Sequence, residues 1–188
     1  MVSEFDAIYL SPHLDDVALS CGGQIFQRTQ RGERVLIVTI TAGDVSETAV
    51  SDYAHTLHTR WALQTNPIVG RREEDKVACR ILGAEFMHLD IPDCIYRTNV
   101  QTGAPFYVSD DDIFGRVHPV DKAQVTDHLH QQLQQLPPAR ERFLPLSIGR
   151  HVDHQLTRSA AESVFSAPLF YYEDYPYAQD EYDEARVM

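Results

Sequence analysis

Apolar residues along this chain alternate between two rhythms. Short, nearly unbroken runs rich in β-branched and aromatic residues occur at Ala7-Ile8-Tyr9-Leu10, Arg34 to Thr41, Phe86 to Leu89, Arg142 to Leu146 and Leu169 to Tyr172. Runs of that length and composition predict strands buried on both faces. Between them the spacing becomes helical. Val17 to Phe26 opens a helix that Gly32 stops, and Gly70 to Gly83 carries Val77, Ile81 and Leu82 as one apolar face. Asp121 to Leu136 places Val125, Leu129, Leu133 and Leu136 on one stripe before Pro137-Pro138, and Val152, Leu156 and Ala160 begin a last helix. Residues 42–66 predict a turn at Gly43-Asp44 and a polar helix holding His55, His58 and Trp61, whereas residues 94–120 show no sustained period and predict a long loop. Alternating strands and helices predict an α/β fold: a Rossmann-like three-layer sandwich whose mostly parallel sheet is covered on both faces, with right-handed crossovers.

Composition narrows the function. A chain of 188 residues, 43% hydrophobic and 23% charged, with no internal repeat or linker, fits one domain over residues 1–188. Its formal charge of -12 repels phosphate backbones, which argues against nucleic acid and for a small neutral or cationic ligand. Cys21, Cys79 and Cys94 are odd in number and contain no CxxC pair, so neither a disulfide framework nor a thiolate metal site is expected. Glu4 and Asp6 stand where a signal peptide would carry Lys or Arg, and no apolar run approaches the roughly 20 residues of a membrane span. The expected location is the cytoplasm, with a homo-oligomer left open.

Two polar stretches carry candidate chemistry. Ser11-Pro12-His13-Leu14-Asp15-Asp16 follows the first predicted strand and precedes a helix; Gly149-Arg150-His151-Val152-Asp153-His154 does the same after the fourth. Ligands of open α/β sheets gather outside the carboxyl ends of neighbouring strands, so the two loops can meet in space. His13, Asp16 and one histidine of the second loop would then make a three-ligand metal site with a position left for water, the composition of a catalytic zinc centre. Adjacent Asp15 and Asp16 diverge at a helix start, so one can bind metal while the other faces its water. A helix N-terminus helps keep both ionised, by about 0.3–1 kcal/mol each.

In their order along the chain, Ser-Pro-His13-Leu-Asp15-Asp16 with Gly22-Gly23, Arg71-Arg72-Glu73 before Leu82-Gly83-Ala84, Asp93 after a strand, and His151-Val-Asp153-His154 resemble the LmbE/PIG-L family of zinc-dependent N-deacetylases. The resemblance runs from residue 7 to about residue 177. It implies an LmbE-like fold and a hydrolase that releases acetate from an N-acetylated amino sugar or glycoside, the expected small-molecule partner. By the same resemblance His13, Asp16 and His154 ligate Zn2+, with another divalent metal such as Fe2+ also compatible. Asp15 is then the general base on the metal-bound water, His151 a general acid or oxyanion donor, and Asp153 the group that orients a histidine. Arg72 and Asp93 are the expected substrate contacts.

The chain departs from the family pattern at Leu14 and Val17, where Pro and Glu are commonest, and at Gly149, where some members carry an aromatic residue. It also stops soon after Tyr177, where many relatives continue, so part of a pocket or an oligomer contact would lie beyond it. Two other functions stay open at this point: a zinc amidase for a non-sugar or thiol-conjugate amide, and a non-catalytic, metal-stabilised or receiver-like binding module. Each marked residue also has a structural alternative. Asp15 or Asp16 could simply cap a helix, Asp93 could form a turn, and Arg71 and Arg72 could pair with Glu73 to Asp75. His55 and His58 are expected in solvent, Gly22 and Gly23 at a close approach near the site, and the Tyr171 to Tyr177 cluster in aromatic packing, with sugar stacking by one ring as the alternative.

Overall fold

A computed structural model describes residues 4–45, 50–60, 67–166 and 168–179. Its elements follow the sequence in alternation: β1 (Phe5–Ser11), α1 (Asp16–Gln30), β2 (Val35–Thr39), α2 (Asp52–Arg60), α3 (Pro67–Leu82) and β3 (Glu85–His88). They continue with α4 (Asp110–Ile113), α5 (Pro119–Gln134), β4 (Ala139–Pro145), α6 (Val152–Val164) and β5 (Leu169–Tyr172). All four strand pairings are parallel, and the order across the sheet is β3-β2-β1-β4-β5. The predicted fold class is therefore the observed one.

The two-residue period of the strands explains the layers. Ile8, Leu10, Leu36, Val38 and Leu144 point to one face, where Val125, Leu129 and Leu133 of α5 and Ala160 and Ala161 of α6 cover them. Ala7, Tyr9, Val35, Ile37 and Phe143 point to the other, against Val17, Cys21 and Ile25 of α1 and Cys79 of α3. A third cluster, with Leu57, Ile68, Ile95, Tyr107, Ile113 and Val152, packs the loops above the carboxyl ends of the strands. Residues 94–120, expected as a loop, contain a 3-10 turn at Cys94–Tyr96 and the short helix α4, and they supply much of that third cluster.

Three expectations need correction. In α3 the buried stripe is Ile68, Asp75 and Cys79, whereas Val77 and Ile81 are exposed. The stripe was hidden because it contains a carboxylate: Asp75 is buried only because His88 Nε2 lies 2.7 Å from its Oδ2. The helix also begins at Pro67, a residue suited to a first turn because it has no N–H to leave unpaired. Gly22, finally, does not serve the site. A Cβ there would meet Leu82 at 3.6 Å, at the opposite end of the sheet from the polar loops, and one on Gly23 would meet open space. Gly43 is the glycine that a close approach requires, since a Cβ would come within 2.2 Å of the Asp90 carbonyl oxygen. The predicted polar helix survives as α2, with His55 exposed and His58 bonded through Nε2 to the Tyr96 hydroxyl at 2.6 Å; Trp61 lies outside the described residues.

Candidate metal centre

β1 and β4 are neighbours, yet the chain leaves β1 toward β2 and β3 and returns to β4 on the other side. That reversal is the topological switch point, and the loops after β1 and β4 face each other across it. The first loop is fixed by its own polar groups. Ser11 Oγ donates to the His13 carbonyl (2.6 Å) and accepts from Val17 N (3.2 Å), while His13 N donates to Asp16 Oδ2 (2.8 Å). In the second loop Ser147, Gly149 and Arg150 all have positive φ, and His151 caps α6 by accepting from Asp153 N through Nδ1 at 3.3 Å.

The structure brings His13, Asp16 and His154 to one point. Asp16 Oδ2 lies 3.1 Å from His13 Nδ1 and 3.2 Å from His154 Nε2. Each imidazole is held from behind by a second carboxylate: His13 Nε2 by Asp153 Oδ2 at 3.1 Å, and His154 Nδ1 by Asp174 Oδ1 at 2.5 Å. This is the carboxylate–histidine arrangement that orients metal ligands. His151 stands beside them, its ring edge-on to His13 with centroids 4.6 Å apart; His13, His151 and His154 each offer a nitrogen within 4.8 Å of the others.

The donor set fits a divalent cation on two independent grounds. First, His154 is 1% exposed and its Nε2 makes no hydrogen bond, a buried polar atom left facing Asp16. Second, the site is short of positive charge. Asp16, Asp93, Asp121, Asp153 and Asp174 are all buried, and Arg97 is the buried arginine set among them. Burial opposes charge on His13 and His154, yet Asp16 with Asp153 lifts His13 well above its ordinary value, and Asp16 with Asp174 lifts His154 to about 9. Burial likewise works against the Asp16 carboxylate, but His154 and His13 hold it well below the usual range. A pocket that draws protons onto two imidazoles draws a metal by the same field.

The remaining groups differ in position. Asp15 is half-exposed at the pocket mouth, 3.4 Å from Arg71 Nη2, and burial together with the charge of Asp16 raises its pKa. Burial and the neighbouring His13 push His151 the other way, well below its ordinary value. Asp93 does two things at once: Oδ1 accepts from Ile95 N at 3.2 Å, and Oδ2 reaches to 4.0 Å from His13 Nε2 on the pocket wall. The cavity, of about 220 Å3, is walled by these polar groups and by Leu19, Phe114, Tyr175 and Tyr177.

Arg72, expected as a substrate contact, is not in that wall. Its Nε donates to the Ala42 carbonyl at 2.7 Å and Nη1 to Asp44 at 2.8 Å, bracing the segment after β2; the arginine lining the pocket is Arg71. Successive helix residues point about 100° apart, so only one of the pair can face the cavity.

Three site residues were not individually marked by the sequence. Arg97 is 5% exposed and binds Asp153 Oδ1 through Nη1 at 2.6 Å and Asp121 through Nε and Nη2 at 2.8 and 3.0 Å. Asp174 follows β5, whose neighbour is β4, so the same strand-end rule that marked the first two loops would have found it. Tyr177 lies over Gly149, where a Cβ would come within 2.6 Å of its ring. For Arg97 no sequence signal exists, whereas Tyr177 belongs to the Tyr171 to Tyr177 cluster, in which one sugar-stacking ring is an open alternative.

Fold and loops thus define a polar pocket suited to a divalent cation at the switch point of a parallel sheet. The chain belongs to the PIG-L family: the family model, described as GlcNAc-PI de-N-acetylase, matches residues 8–165. Members of this family are enzymes that hydrolyse amide bonds. The 2'-N-acetylparomamine deacetylase of Niallia circulans is 29% identical over 187 residues, covering 92% of this chain and 67% of that protein. The Streptomyces fradiae protein of the same name is 28% identical, covering 96% and 61%. Among solved structures, a deacetylase of teicoplanin biosynthesis superimposes with a TM-score of 0.81 at 29% identity, covering 92% of this chain and 68% of that one. A zinc-inhibited form of teicoplanin deacetylase gives 0.75 at 29% identity, with the same coverages. The chain thus spans about two thirds of the length of these relatives. No helix among the described residues is long and apolar enough to cross a membrane.

Proposed function

We propose that this chain removes the acetyl group from an N-acetylated amino sugar carried on a larger glycoside, with His13, Asp16 and His154 holding Zn2+. The observation that carries the reading is the buried, unbonded Nε2 of His154 set opposite Asp16 and His13. When bound, a divalent cation there polarises the acetamide carbonyl and acidifies the attacking water. Asp15, half-exposed at the pocket mouth beside Asp16, takes the proton from that water. Because His151 Nδ1 accepts from the Asp153 amide, the ring proton sits on Nε2. His151 is therefore a neutral donor toward the developing oxyanion, which favours oxyanion stabilisation over general-acid work. The carbon–nitrogen bond then breaks, Asp15 returns its proton to the leaving amine, and acetate departs.

The sugar assignment leans on relatives named 2'-N-acetylparomamine deacetylase and on a deacetylase of teicoplanin biosynthesis solved in complex with teicoplanin. A receiver-like module gives His151 and His154 no task, whereas here they share one cavity wall or ligand cluster with the first loop. The test is acetate release from a panel of N-acetylglucosaminides, N-acetylated aminocyclitol glycosides and non-sugar acetamides by the zinc-reconstituted protein. Turnover of the glycosides is expected; turnover of the non-sugar amides alone would replace this reading with a general amidase.

A further inference from the structure

A second cavity, of about 370 Å3, lies behind the metal pocket between the segment after α4, the first turn of α5, the β4–α6 loop and one face of α6. Arg116, Lys122 and Arg150 line it together with Gln155 and Ser159, and no carboxylate among the described residues does. In a chain of net charge -12 that is a local reversal of sign. None of the three cations enters an ion pair among the described residues, and Arg150 Nε is shut off from water without an acceptor. Three like charges around one concavity repel each other, and Lys122 adds to this by standing in the first turn of α5, where the helix dipole is already positive. An arrangement of that kind is relieved by an anion. Ser159 and the guanidinium forks supply donors suited to phosphate oxygens.

We propose that this cavity is a binding site for a phosphate group, either free or carried as a monoester by a small metabolite. Its volume sits at the lower end of the range of small-molecule pockets, about 300–1,000 Å3, so a compact phosphorylated ligand can enter. The two cavities share no lining residue, but the same two loops line both, with Arg116 close to Phe114 in the chain and Arg150 next to His151. Gln155 Nε2 donates both to the Gly115 carbonyl, at 2.9 Å, and to the Arg150 carbonyl, tying together the two loops that present Phe114 and His151 to the metal pocket. An anion bridging Arg116 and Arg150 clamps the same two loops from behind.

The test is calorimetric titration of the zinc-loaded protein at low ionic strength with inorganic phosphate, with glucose 6-phosphate and with glucose. Saturable binding of at least one phosphate compound, and none of glucose, is expected. Tighter binding of the sugar phosphate assigns the site to a metabolite, and equal or tighter binding of inorganic phosphate assigns it to the free ion. Arg116→Ala and Lys122→Ala should each weaken binding at least about fivefold and the double variant should remove it, whereas Lys122→Arg should stay close to wild type. Matching urea midpoints show that these exposed substitutions leave the fold intact. Replacing Asp180, Glu181, Asp183 and Glu184 by their amides should leave affinity within about twofold. The proposal is overturned by no saturable binding up to about 20 mM, or by double-variant affinity equal to wild type, which would place phosphate elsewhere. It is overturned too by a tenfold gain in the amide variant, which would mean that the chain's own acids already fill the cavity.

Discussion

Arg97 offers the sharpest test of how the site is held. Its guanidinium spans Asp153 and Asp121, whose side chains are fully buried, so Arg97→Met leaves two carboxylates without their cation. Removing one partner of a buried ion pair costs about 3–5 kcal/mol, which is a fifth or more of the roughly 5–15 kcal/mol that holds an ordinary domain together. At a urea m-value of about 2 kcal/mol/M, the unfolding midpoint should fall by roughly 1.5–2.5 M. The sign of the pH dependence follows from Asp153. Burial pushes its pKa up, but Arg97 and His13 hold it below the usual carboxylate range. In wild type that depressed pKa contributes stability above about pH 3.9, lost only as pH falls through the folded value. In the variant burial acts unopposed by Arg97, the folded pKa rises, and protonation at lower pH relieves the cost. The gap between variant and wild type should therefore be wider at pH 8 than at pH 5, and Arg97→Met with Asp121→Asn should recover part of it. Urea unfolding followed by circular dichroism at both pH values is the assay. A wild-type midpoint, or a gap that does not move with pH, would refute the electrostatic reasoning.

Asp15→Ala should retain the metal by elemental analysis while losing hydrolysis, and Asp16→Ala should lose both; equal metal loss would mean that base and ligand are interchanged. Asp174→Ala should weaken metal binding about 10–100-fold in a chelator competition, because His154 Nδ1 loses the carboxylate that orients it. An unchanged affinity would leave Asp174 as a packing group only. In chelator-treated protein, His154 carries a pKa raised to about 9, since Asp16 and Asp174 outweigh burial. That contribution is complete below the unfolded value near 6.5 and disappears as pH rises through 9, so the metal-free protein should lose stability across this window. A flat melting temperature from pH 6.5 to 9 would count against the observed contacts.

The parts of this molecule that were legible in its sequence are those set by period. The unbroken run from Val35 to Thr39 could only be a doubly covered strand, and Val125, Leu129 and Leu133 lie buried on α5 as their spacing demanded. Strand order was not legible, but the strand-end rule placed the His13 and His154 loops together without it. Where pattern failed, a charge was buried. Asp75 masked the true face of α3, and Arg97 looked like an ordinary polar loop residue because its partner Asp121 lies 24 positions away. Burial of such groups depends on contacts that only the folded chain creates.

Gly149 and Tyr177 carry one further consequence. At φ +73° and with a Cβ position 2.6 Å from the Tyr177 ring, Gly149 accepts no side chain while that ring stays in place. The two positions share a single volume, so substitutions at them are order-dependent. A route to an aromatic residue at 149 opens only after Tyr177 has shrunk, and a designer altering this pocket must exchange them as a pair.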